Sequence, residues 1–133
     1  MNLVFMDTVG LLALWNADDQ WHQAATEAFA IIDHTQTTLL TTTYVLLECG
    51  NAAARSSIRA EVDRLREQFE LAGTLIWPTA ADWAQAWSAY RRGGPDSAGI
   101  VDHISFAVMR RSGVARVFTN DRHFRTAGFV TLF

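Results

Sequence analysis

The chain has no lysine, so all eleven of its fixed cations are arginines. Arginine is the side chain suited to bidentate contact with phosphate or carboxylate. There is one cysteine, Cys49, which excludes an internal disulfide and fits a reducing, cytoplasmic setting. No apolar stretch approaches the roughly 20 residues that span a bilayer, so no membrane segment is expected. The opening Met1 to Asp7 lacks a basic leader and meets an acid at once, and it reads as a first strand rather than a signal peptide. Repeats, low-complexity tracts and linkers are absent as well. What remains is 133 residues, read as one domain over 1–133 with one core.

Half of the residues are hydrophobic and five are tryptophan, which argues against disorder. The net charge of −3 is uneven. Residues 1–90 carry four arginines against eleven acids, a balance of −7, and residues 91–133 carry seven against three, a balance of +4. The C-terminal excess is where a nucleic-acid footprint is expected.

Short apolar or β-branched runs alternate with helical patterns. Strands are expected at 2–6, 37–41, 74–77, 114–118 and 130–133. Helices are expected at 8–17, 20–33, 43–54, 57–72, from Thr79 to about residue 91, and 99–112. Ile58, Val62, Leu65 and Phe69 recur at helical spacing, and Gly73 is placed to end that helix. Thr41, Thr42 and Thr43 offer N-cap hydroxyls, and Thr79 offers another. Residues 92–97 read as a loop, and the end of the chain after Phe118 as a turn around Asn120-Asp121-Arg122. Strands alternating with helices imply an α/β fold, a mostly parallel sheet of four to five strands covered on both faces.

Four acids interrupt this pattern. Asp7 closes the apolar run Leu3 to Met6, Glu48 interrupts Tyr44 to Leu47, Asp102 opens the run Ile104 to Met109, and Asp121 follows Val117 to Asn120. Carboxylates among buried elements are costly unless something positive meets them. In an open parallel sheet, ligands bind beyond the carboxyl ends of the strands. Asp7 and Asp121 both follow strands directly, and Asp102 lies in the first turn of a helix that starts at the same edge. Glu48 joins them only if its helix packs across that edge. Each acid also has a plainer reading. Asp7, Asp102 and Asp121 suit helix or turn caps, and Glu48 suits an ion pair with Arg55 or Arg116. Capping explains three acids separately, whereas one hard divalent cation, Mg²⁺ or Mn²⁺, explains all four together. Phosphodiester hydrolysis is the chemistry best matched to that set with arginines around it.

The same residues carry a resemblance. Val4-Phe5-Met6-Asp7-Thr8-Val9-Gly10-Leu11-Leu12-Ala13-Leu14, Asp19 to Ala25, Tyr44 to Asn51, Ile100 to Met109, and Thr119-Asn120-Asp121-Arg122-His123-Phe124 with Gly128-Phe129 stand in register. Together they resemble PIN-domain nucleases, and most closely the VapC-like toxin ribonucleases of bacterial toxin–antitoxin pairs. The resemblance implies a PIN fold and a Mg²⁺- or Mn²⁺-dependent ribonuclease. Asp7, Glu48, Asp102 and Asp121 correspond to its metal-binding acids, and Thr119 to the hydroxyl lining the site. It implies an RNA substrate, a cognate antitoxin and a homodimer. Thr8 and Asn51 lie beside the acids as candidate supports, and Asp96 is a candidate accessory ligand in an atypical glycine-rich loop. Arg91, Arg92, Arg110, Arg111, Arg122 and Arg125 are candidate RNA-phosphate contacts.

Packing or surface roles are expected for His22, His103 and His123, which lack Zn²⁺ ligand spacing. Cys49 is expected in the core, and Trp77, Trp83 and Trp87 in the core or at a dimer surface. Phosphoacceptor receiver domains and haloacid-dehalogenase-type phosphatases share the general fold but use an essential lysine, which this chain lacks. The phosphatases also need an acid where Val9 stands. Two further readings stay open: a PIN-fold module that binds RNA or protein without cutting, and an RNA-processing nuclease that is not a toxin.

Overall fold

The computed structural model describes residues 2–94 and 97–133. Chain order is β1 (Asn2–Met6), α1 (Thr8–Trp15), α2 (His22–Ala30), β2 (Thr37–Thr42), α3 (Thr43–Ala52) and α4 (Arg59–Ala72). There follow β3 (Leu75–Ile76), α5 (Ala80–Arg92), α6 (Ile100–Arg111), β4 (Arg116–Phe118), α7 (Arg122–Thr126) and β5 (Val130–Thr131). The five strands form one parallel sheet in the order β3-β2-β1-β4-β5.

That order makes a switch point. From β1 the chain moves outward through β2 and β3, then returns to place β4 on β1's other side, with Met6 beside Phe118. The crevice at the carboxyl ends of β1 and β4 is where such a sheet binds ligands. The continuous apolar reading of β1 fits its central place, since Val4, Phe5 and Met6 are all buried. Val117 and Phe118 of β4, Leu11 of α1, and Phe106 and Met109 of α6 join the same core. A smaller cluster of Ala86, Ile104 and Val108 holds α5 against α6.

Local signals set the helix ends. Thr42 caps α3 through Val45 N, and Gly73 ends α4 with φ 72°. Thr79 and Asp82 form a reciprocal capping box at the start of α5. Gly10 has a different purpose. A Cβ there would stand 2.0 Å from the Phe118 carbonyl oxygen, so only glycine lets α1 lie this close to β4. That approach carries Asp7, at the start of α1, to the end of β4.

One element was not foreseen. The stretch expected as a turn around Asp121 is the start of α7. Asp121 caps it through His123 N, and Gly128 with φ 98° follows its end. At five residues the helix is too short to display an amphipathic period. The tryptophans expected in the core or at a dimer surface lie outside the core: Trp77 is 77% exposed and Trp83 48%. No helix among the described residues is long and apolar enough to cross a membrane.

Candidate metal centre

Asp7 is the N-cap of α1 and is 2% exposed. Its Oδ2 accepts the Thr119 hydroxyl at 2.9 Å and Val9 N at 3.4 Å. Thr119 Oγ1 also accepts Asp121 N at 3.2 Å, so one hydroxyl ties the end of β1 to the loop after β4. Thr41 holds the other flank of β1, donating to the Met6 carbonyl at 2.6 Å. Asp121 caps α7, and its Oδ1 accepts both the backbone N and ring Nδ1 of His123, at 2.9 and 2.8 Å. Capping and clustering are therefore not alternatives for Asp7 and Asp121; each side chain does both.

Asp102 lies in the first turn of α6, half-buried. Glu48 reaches the group from α3, and its Oε1 accepts the Thr8 hydroxyl at 2.6 Å. This bond ties α3 to the start of α1, directly after Asp7.

The electrostatics tie the four acids together. Burial, and then the nearby Asp102, lift the Asp7 carboxyl from 3.8 to about 7, with Asp121 adding to the effect. Burial, followed by Asp121 and Glu48, lifts Asp102 likewise to about 7. The neighbouring His123 offsets part of this rise at Asp102. Like charges held this close in a poorly solvated crevice await a counter-charge.

The donor set fits a hard divalent ion. Single ligand atoms of Asp102, Asp121 and His123 lie within 4.8 Å of one another. Asp7 and Glu48 stand close enough to shift the ionisation of Asp102 or be shifted by it. Carboxylates with few other donors suit Mg²⁺ or Mn²⁺. His123 is a candidate donor that the sequence pattern alone does not single out; the one signal for it is its place two residues after the strand-end acid Asp121.

The other candidates separate. Thr8 and Thr119 bond directly to members of the cluster. Asn51 is exposed, one turn beyond Glu48 on α3. Asp96 lies outside the described residues. Arg111 is engaged with Asp82 through three hydrogen bonds of 2.8–3.2 Å, and Arg125 donates to Thr131 at 3.1 Å. Arg91 and Arg92 are exposed near the end of α5, and Arg122 is exposed at the start of α7. Arg110 donates to the Ala127 carbonyl and lies over the rings of Phe106 and Phe129 at 5.9 and 5.2 Å. His22 donates through ring Nδ1 to the Ala13 carbonyl at 2.8 Å. Cys49 is wholly buried, and burial pushes its thiol up to about 12, which removes it as a nucleophile.

Comparison with known proteins places the chain in a family. The family model described as PIN domain matches residues 4–130. The 23S rRNA-specific endonuclease VapC20 of Mycobacterium tuberculosis is 33% identical over 133 residues, covering 96% of each chain. The crystal structure of that organism's VapC20, described as a sarcin–ricin loop cleaving toxin, superposes with a TM-score of 0.82 at 30% identity, covering 96% of each chain. FitAcB from Neisseria gonorrhoeae shares the fold at a TM-score of 0.64 and 17% identity, over 96% of this chain and 95% of that one. The chain belongs to the PIN domain family and is VapC-like in sequence and fold.

Proposed function

We propose that the protein is a Mg²⁺- or Mn²⁺-dependent endoribonuclease, the toxin of a toxin–antitoxin pair, acting in the cytoplasm. The observation that carries this reading is the gathering of acids at the sheet's switch point: single ligand atoms of Asp102, Asp121 and His123 lie within 4.8 Å of one another, and the buried Asp7 is close enough to Asp102 and Asp121 for both to raise its carboxyl. Asp7, Glu48, Asp102 and Asp121 would hold the cation, with His123 as a further candidate donor. Thr119 keeps Asp7 and the Asp121 loop in register, and Thr8 orients Glu48. When bound, the cation supplies Lewis acidity toward the phosphate and activates water. The overall step is hydrolysis: a water oxygen bonds to phosphorus while the bond to one ribose oxygen breaks. The water's proton passes to a nearby carboxylate, and the departing ribose oxygen gains a proton.

The likeness to VapC20 extends the proposal to the substrate, 23S rRNA at the sarcin–ricin loop. It also supports a small antitoxin as partner, since that relative is described as a toxin. A homodimer would bury exposed apolar surface, including Trp83, Trp87 and Tyr90 along α5.

The test is incubation of ribosomes or purified rRNA with wild-type protein and with Asp102→Asn, followed by mapping of new RNA ends. Cuts within the sarcin–ricin loop by wild type alone support the proposal. Cuts elsewhere keep the nuclease and discard the target. No cleavage of any RNA, with RNA binding retained, replaces it with a binding module.

A further inference from the structure

Beside the acid cluster lies a cleft of about 300 Å³, lined among others by Arg92, His103, Phe106, Arg110 and His123. Two of these residues border the acids directly. His123 bonds to Asp121 through Nδ1, and His103 follows Asp102 in the chain. Arg92 comes from the end of α5, and Phe106 and Arg110 from the middle and end of α6. An acidic centre thus adjoins a cleft whose charged lining, among the described residues, is basic.

The two arginines differ from those already engaged by acids. Arg64, Arg66 and Arg111 each meet carboxylates. Arg92 and Arg110 meet none among the described residues. Arg110 is nonetheless held in place, with one N–H on the Ala127 carbonyl at 3.1 Å and its plane near Phe106 and Phe129. A guanidinium has five N–H donors, so a fixed Arg110 with one described bond keeps capacity for an anion. The ring of Phe106 meets that of His103 edge-on at 5.5 Å, giving the cleft an aromatic wall. A cavity of this size suits a single nucleotide rather than a duplex.

We propose that this cleft is a phosphate-anchored nucleotide subsite, in which Arg92 and Arg110 grip the RNA phosphate next to the one presented to the acids. The proposal rests on the nuclease reading of the acid cluster. It assigns the cleft to single-stranded RNA, because an unpaired nucleotide can enter it and lie against the aromatic wall. His123 and His103 form the partition between the two phosphate positions.

The test uses the intact protein in EDTA, so that binding is read without cleavage. The probes are inorganic phosphate, an RNA pentanucleotide, and the same pentamer with neutral methylphosphonate linkages. Side-chain NMR shifts of His103, Phe106 and His123 report the place of binding. The variants are Arg92→Gln, Arg110→Gln and the double substitution; Arg92→Gln alone leaves the Ala127 contact intact. The expected result is pentamer binding that shifts these rings, weakens about tenfold in the double variant, and fails with the methylphosphonate. Losing the contact to that one phosphate should also flatten the log–log salt dependence by about 0.7. Wild-type affinity in the double variant, or shifts elsewhere, overturns the subsite. Binding of inorganic phosphate with the pentamer no tighter makes it a free-phosphate pocket and also overturns it. Failure of the nuclease reading would appear separately, as unchanged binding here with no cleavage when Mg²⁺ is restored.

Discussion

Replacing Asp7 by Asn should make the metal-free protein more stable while removing its activity. The buried Asp7 carboxyl is lifted from 3.8 to about 7 by burial and by Asp102. Between those values the native state keeps a proton that the unfolded chain has lost. Stability therefore falls as pH rises through this window, by about 1.36 kcal/mol per pH unit, and levels off near pH 7. Over the whole window the loss is about 4 kcal/mol, an upper bound because Asp102 shares the repulsion and can relax by taking the proton itself. An asparagine keeps an oxygen to accept Thr119 Oγ1 and Val9 N but carries no charge. The assay is urea unfolding in EDTA. Asp7→Asn should exceed wild type, and the gap should widen by about 2 kcal/mol between about pH 5 and about pH 8. Adding Mg²⁺ or Mn²⁺ should narrow the gap by stabilising wild type alone. A variant less stable than wild type at both pH values, or a gap that ignores pH, would refute the reasoning.

Two further substitutions test how the site is built. Gly10→Ala places a methyl 2.0 Å from the Phe118 carbonyl, so α1 must move off β4; we expect a loss of about 2–4 kcal/mol by thermal unfolding and, in survivors, weakened metal binding. Arg111→Ala should cost about 1–3 kcal/mol, because it strips the buried Asp82 of its partner. RNA affinity should barely change in Arg111→Ala, which a filter-binding assay beside Arg92→Gln would check.

Much of this architecture was legible before any coordinates. The β1 run, the helical period of Ile58, Val62, Leu65 and Phe69, and the caps Thr42, Gly73 and Thr79 are local signals, and local signals survive in sequence. Asp7 and Asp121 could be placed at one edge because both follow parallel strands. The less legible parts depend on contacts between distant segments. Glu48 is oriented by a bond to Thr8, forty residues away, and lies near enough to Asp102 to raise it. Thr119 links Asp7 and Asp121 across 112 residues of chain. Gly10 reads as an ordinary helix glycine until Phe118 is seen against it. His123 reads as packing or surface because α7 is too short to announce itself, and without that helix its ring has no direction. The arginines could be counted but not sorted, since only packing gives Arg111 to Asp82 and leaves Arg92 and Arg110 beside the cleft.

The central claim is that the four acids form one cation site. Calorimetric titration of Mn²⁺ into metal-free protein near pH 7, repeated in buffers of different ionisation enthalpy, tests it most directly. Wild type should bind and release protons, because Asp7 and Asp102 each titrate at about 7 and must give up their protons to the ion. Asp7→Asn and Asp102→Asn should each weaken binding at least tenfold and reduce the protons released. Unchanged affinity in both variants, or no binding by wild type, would contradict the account.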